Sequence, residues 1–232
     1  MKKLLLSVLT LITLSLSAFA QEKPNVLIIG DSISVGYTPF VKEGLKDIAN
    51  VERVNGNAQA TKNALEKQKD GKTKVEGYIA GKKFDLIHFN WGLHDLCYRN
   101  PEVKNVGNRD KINGAKVLTI EEYEENLQTI IDILNTTNAK LIFATTTYVP
   151  EGEVGRHPQD AQKYNEVALR VMKKNNITVN PLYDISEENH KKYGNGDTKY
   201  GAKVGDVHYK KEGYAIFAKQ VNEYIRKALT EK

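Results

Sequence analysis

The sequence predicts an α/β fold, a parallel sheet covered by helices on both faces. Short runs of branched apolar residues alternate along the chain with segments of helical apolar spacing, and such alternation makes parallel strands joined by helices. The first run, Asn25-Val26-Leu27-Ile28-Ile29, is apolar at successive positions, as a strand buried on both faces must be. The stretch available for folding, about 210 residues, suits one domain with a sizeable core. In sheets of this kind ligands collect beyond the carboxyl ends of the strands. Ser32, Asn57 to Thr61, Gly92 to Asp95 and Thr146 all fall there.

Taken in order, residues 1 to 20 read as a signal peptide. Lys2 and Lys3 precede an apolar run from Leu4 to Phe19, and Ala18-Phe19-Ala20 has the small-x-small cleavage pattern. The run is short for a bilayer span, and no cysteine follows it for lipid attachment. The expected organisation is a signal over 1–20 and one folded domain over 21–232, periplasmic or secreted, without membrane insertion after cleavage.

Gly30 ends the first strand, and Asp31 and Ser32 stand at the turn. They serve either as helix caps or as the seat of a nucleophile, because free N–H groups and the helix dipole favour negative charge there. Helical spacing after Gly36 predicts a helix over Tyr37 to Ala49, with Phe40, Val41, Leu45 and Ile48 on one face. Val51 to Val54 is a short strand. Lys62 to Lys69 and Val75 to Ala80 are helical pieces broken around Gly71. Phe84 to Asn90 is a third strand. Cys97 to Lys116, polar and punctuated by Pro101, Gly107 and Gly114, is a loop long enough to expect a function of it.

Thr119-Ile120-Glu121-Glu122 has capping-box spacing and opens a helix through Thr136, with Tyr123, Leu127, Ile130, Ile131 and Leu134 on one stripe. Lys140 to Thr147 is a fourth strand, Gln159 to Lys174 a helix, and Ile177 to Asn180 a fifth strand. Tyr183 to Gly205 reads as an irregular connection, and Gly213 to Leu229 as the closing helix. Cys97 is the one cysteine, so no internal disulfide forms. The net charge of +5, lower by two once Lys2 and Lys3 leave, is too dispersed to argue for nucleic acid.

A histidine, His208, stands just before the closing helix with Asp206 close by, and could take a proton from Ser32. With serine, glycine turn and histidine in this order, the sequence resembles the SGNH (GDSL-type) hydrolases. Gly30-Asp31-Ser32 is similar to the family's first block, Gly92-Leu93-His94-Asp95 to its Gly-x-Asn-Asp block, and Asp206-Val207-His208 to its last. The resemblance implies a flavodoxin-like three-layer α/β/α sandwich with a five-stranded parallel sheet. It also implies a serine esterase that needs no metal or organic cofactor. Ser32 would attack the ester carbonyl and His208 would act as its base. Backbone N–H groups near Ser32 and in the second block, with a side chain from the third, would hold the oxyanion. Asp31 and Gly92 would line the substrate site.

The chain departs from the family pattern at three places. His94 stands where the family has asparagine, and imidazole can donate one hydrogen bond in its place. The second-block donor is Gly56, or Gln59 on the alternative alignment. The orienting aspartate belongs three residues before the histidine, where this chain has Gly205; Asp206 either reaches the imidazole or leaves a Ser-His dyad. Trp91 and Tyr148, beside strand ends, are walls for a sugar ring or plain core. His88, His94, Asp95 and His208 fit no zinc spacing. The expected activity is removal of a small acyl group, acetyl foremost, from a carbohydrate. A lysophospholipase or thioesterase of the same fold, and a non-catalytic glycan-binding module, are the alternatives.

Overall fold

The computed structural model describes residues 22–105, 107–194 and 205–231; the expected signal peptide lies outside them. Asn25–Ile29 forms β1, with every residue after Asn25 buried. It pairs in parallel with β2 (Asn50–Arg53) on one side and β3 (Leu86–Phe89) on the other. β3 pairs with the later strand Lys140–Ala144, which pairs with Thr178–Asn180, again in parallel. In chain order these two are β6 and β7, because β4 (Tyr98–Arg99) and β5 (Ala115–Lys116) form a separate small antiparallel ladder. The main sheet has the order β2-β1-β3-β6-β7, the doubly wound arrangement with β1 and β3 at the switch point.

Helices cover both faces. Ser32–Leu45 (α1), Leu182–Tyr193 (α6) and Lys211–Thr230 (α7) pack together on one side. Thr61–Ala64 (α2), Lys74–Ile79 (α3), Ile120–Asn135 (α4) and Asp160–Lys174 (α5) pack on the other. Between them lies a continuous core that includes Val26, Ile28, Leu86, Ile87, Phe89, Ile142 and Phe143. The capping box at Thr119 and Glu122 forms as expected, and the stripe from Tyr123 to Leu134 is the buried face of α4. Among the described residues no helix is long and apolar enough to cross a membrane.

Three local expectations need correcting. The first helix begins at Ser32 and not at Tyr37, because the Asp31 carboxylate caps it by accepting from the Ile33 N–H at 2.9 Å. Gly36 belongs inside that helix, since a Cβ there would lie 2.2 Å from the Tyr214 ring; Gly44, two turns on, meets Asn222 in the same way. These two glycines let α1 and α7 approach closely. Leu182–Tyr193 is a helix where an irregular connection was expected. Its inward face uses Ser186 and Asn189, which bond the Tyr148 N–H at 2.8 Å and the Gly213 carbonyl at 2.9 Å, so it shows little apolar periodicity. Residues 195–204 of that expected connection lie outside the described residues. The Cys97 to Lys116 loop holds the β4–β5 ladder, which the polar composition hid.

Candidate active site

Three segments meet at the carboxyl ends of β1 and β3. Ser32 is the first residue of α1, immediately beyond β1, where first-turn N–H groups lack intrahelical partners. Its Oγ lies 2.8 Å from Nε2 of His208, and Nδ1 of that ring lies 2.6 Å from Oδ1 of Asp206. Burial would raise the Asp206 carboxyl, but the hydrogen bonds and charge of His208 outweigh it and hold the group below its usual range. An ionised Asp206 only accepts, so Nδ1 carries the proton in a neutral ring. Nε2 is then the acceptor and the Ser32 hydroxyl its donor.

Asp206 reaches the imidazole despite standing one residue nearer than the resemblance requires. The same Oδ1 accepts the backbone N–H of His208 at 3.2 Å, so the carboxylate folds back in an Asx turn. Gly205 supplies the bend before it, with φ of +99°. It is pressed against the backbone of Gly152 and Glu153, where an added Cβ would lie 2.2 Å from a carbonyl carbon. Nε2 of His190 lies 2.7 Å from the Asp206 carbonyl and, as donor, braces the turn from α6.

His94 projects into the same pocket. Its ring is pushed down to about 3, first by burial and then by the charges of Arg156, Arg99, His208 and Arg109, so it is neutral at ordinary pH. Its Nε2 faces Nδ2 of Asn57 at 3.5 Å, long for a hydrogen bond. The Gln59 N–H donates to Asn57 Oδ1 at 2.8 Å, which turns the amide NH2 toward the ring. Asn57, not Gly56 or Gln59, lines the pocket. Gly56 is exposed at φ +72°, its carbonyl held by Arg53 at 2.8 Å; Gln59 is also exposed, at φ +59°.

The other expected site residues divide. Asp31 lines the pocket, buried, with its carboxyl raised by that burial against the opposing Ile33 N–H bond. Gly92 is buried against Thr146, behind the pocket wall. Trp91 is fully buried core beside Phe89 and is no wall for a sugar. Tyr148 packs on His190 at 5.7 Å between ring centroids, outside the pocket. Asp95 is a strut: its Oδ1 accepts the Thr61 N–H at 2.7 Å and the Thr61 hydroxyl at 2.6 Å. His88 is core, its Nε2 3.2 Å from Asn180, and burial drives it down to about 4. Among the described residues no group of three or more His, Cys, Asp or Glu could hold a metal ion.

Sequence reasoning places Asn57 to Thr61 at a strand end without singling out Asn57, and it misses the arginines. The pocket, about 180 Å³, is lined by Leu93 and Val207 and by Arg99, Arg109 and Arg156 besides the residues above. The available signal was compositional: the chain has six arginines against twenty-eight lysines, and half of the six stand here.

The profile of the GDSL-like Lipase/Acylhydrolase family matches residues 28–216. Among solved structures, the chain is similar to the acetyl xylan esterase AlAXEase, with a TM-score of 0.61 and 17% identity, covering 87% of this chain and 99% of that one. It is similar to a lipase/acylhydrolase from Enterococcus faecalis, with a TM-score of 0.62 and 19% identity, covering 88% and 96%. It also resembles a catalytic mutant of the acetylxylan esterase Axe2 from Geobacillus stearothermophilus, with a TM-score of 0.62 and 18% identity, covering 90% and 95%. At these identities the likeness is one of fold. No curated protein matches the chain.

Proposed function

The chain belongs to the GDSL-like lipase/acylhydrolase family and is a carboxylic ester hydrolase, and from that premise we propose that it is an exported enzyme removing small acyl groups, acetyl foremost, from a carbohydrate. Ser32 is the nucleophile. As its oxygen bonds to the ester carbonyl carbon, Nε2 of His208 takes the hydroxyl proton, and Asp206 holds the imidazolium that results. The same proton then goes to the departing alcohol oxygen, and water repeats the sequence on the acyl-enzyme. The tetrahedral oxygen is held by the Ser32 N–H at the amino end of α1, by the Asn57 amide, and by His94 as a neutral ring. His94 must present an N–H there, and a neutral ring has one to give.

The unbroken contact chain from Ser32 through His208 to Asp206 carries this reading. It favours catalysis over a glycan-binding module, which needs no such alignment. The pocket's small volume, with Leu93 and Val207 as its apolar part, favours a short acyl group over the chain of a lysophospholipid or thioester. Two neighbours described as acetyl xylan esterases point the same way. Export rests on the pattern of residues 1 to 20. The test is hydrolysis of p-nitrophenyl acetate against longer acyl chains, with Ser32→Ala as the blank, followed by acetate release from acetylated polysaccharides. The acetyl ester should be preferred and Ser32→Ala should be inert to a fluorophosphonate probe. Equal labelling of Ser32→Ala would remove Ser32 from its role.

A further inference from the structure

Three arginines line the pocket over Ser32, more than hydrolysis of a neutral ester requires. Arg156 forms its inner wall, 4% exposed, with Nε donating to the Leu93 carbonyl at 2.6 Å and Nη1 to Glu153 Oε1 at 2.9 Å. Arg109 places Nη1 2.8 Å from that same oxygen, while the other oxygen of Glu153 accepts the Gly155 N–H at 2.6 Å. Two guanidinium groups thus lean on one buried carboxylate. Arg99, from β4, adds a third and is steadied by the Gly107 carbonyl. Each acid nearby already has partners: Glu153 is shared by Arg109 and Arg156, Asp206 is engaged by His208, and Asp31 accepts the Ile33 N–H.

The choice of side chain is itself informative. A chain that meets its need for surface charge with lysine has placed three of its six arginines here. Arginine differs from lysine in presenting a planar fork that fits an oxyanion with two parallel hydrogen bonds. Position says which half of the substrate is concerned. Arg156 is deep, whereas Arg99 and Arg109 belong to the loop after β3 and stay partly exposed. The enclosed part beside Arg156 suits a small acyl group, which leaves the outer arginines to the alcohol half of the ester. The field they make reaches His94, where it adds to burial in keeping the ring uncharged.

We propose that the alcohol half is an acidic sugar, and that Arg99 and Arg109 bind its oxyanion, a uronate carboxylate or a sulfate, while Arg156 and Glu153 hold Arg109 in place. This rests on Ser32 acting as the nucleophile of an acyl-sugar hydrolase.

The experiment compares kcat/KM on an O-acetylated methyl glucuronoside, its methyl ester, and a neutral O-acetylated glucoside with and without a sulfate, with p-nitrophenyl acetate alongside. The charged member of at least one pair should be preferred about tenfold or more, the gain expected of a charge-assisted fork. Which pair shows it identifies the oxyanion. The preference should narrow at about 0.5 M salt, and its ratio should fall toward unity in Arg99→Gln and Arg109→Gln, with Arg99→Lys intermediate. The ratio in the parent needs no variant to fold. Equal rates within both pairs, or preference for the neutral members, overturn the proposal while p-nitrophenyl acetate, cleaved by the parent and not by Ser32→Ala, keeps the esterase reading intact. Failure to cleave any ester overturns both.

Discussion

Asp206 is the residue on which the proposed chemistry turns. A neutral imidazole has two tautomers, and only the one with the proton on Nδ1 leaves Nε2 able to take a proton from Ser32. The 2.6 Å contact with an ionised Asp206 selects it. Asp206→Asn would keep the shape but can donate toward Nδ1, favouring the wrong tautomer. Such a change costs serine hydrolases about four orders of magnitude in kcat, and a comparable loss is expected here on p-nitrophenyl acetate. A loss under about tenfold, or 1.4 kcal/mol of barrier, would mean that His208 is oriented by other groups. Ser32 and His208 were legible because serine at a strand end and histidine before a closing helix each have a physical purpose there. Asp206 was legible only as one of two alternatives, since an extended chain and an Asx turn both bring residues two apart together. Asn57 was legible only as part of a stretch at a strand end, because its orientation depends on the Gln59 N–H turning the amide, which no spacing records.

At the scale of elements, Asp95 shows how the blocks are tied together. It follows β3, and through Thr61 it reaches the start of α2; the Thr61 hydroxyl in turn accepts from Asn126 of α4 at 3.3 Å. Burial raises the Asp95 carboxyl to about 7 against the partly compensating Thr61 bonds. The folded protein therefore binds a proton there that the unfolded chain, near 3.8, has already released. The stability this provides is present below about pH 4 and is lost as pH rises through about 7. Asp95→Asn lacks that titration. Melting of parent and variant from pH 4 to 8 should show the parent losing stability relative to Asp95→Asn, by on the order of a few kcal/mol. A difference flat or rising with pH would remove Asp95 as the cause. Strands and the amphipathic α4 and α5 were legible from periodicity. The helix α6 was not, because two of its three buried positions, Ser186 and Asn189, are polar and bonded to backbone, so its inward face carries no continuous apolar stripe.

Over the whole molecule, the site is assembled from distant parts of the chain by close approach. Gly205 presses the histidine turn onto Gly152 and Glu153, the latter being the carboxylate that holds Arg109 and Arg156. Gly205→Ala meets backbone on that side, so both melting temperature and kcat should fall, the rate by about a hundredfold or more. Gly71→Ala, also at positive φ but with nothing near its Cβ, should cost only about 1 kcal/mol of stability. Similar activity in the two variants would deny Gly205 its positioning role. It follows that restoring the family spacing by Gly205→Asp is not open to this chain. The parallel sheet was legible, since alternation and both-face burial leave few topologies. The packing that brings its loops together was not, because it depends on glycines whose neighbours lie far off in sequence. Ser32 and His208 are separated by 176 residues; the serine opens α1 and the histidine stands just before α7, which packs on α1. Contacts of such sequence separation close late, after loop entropy has been overcome. On the proposed chemistry an unfolded chain therefore carries its serine unarmed, and the ability to cut esters reports that the two ends of the domain have come together.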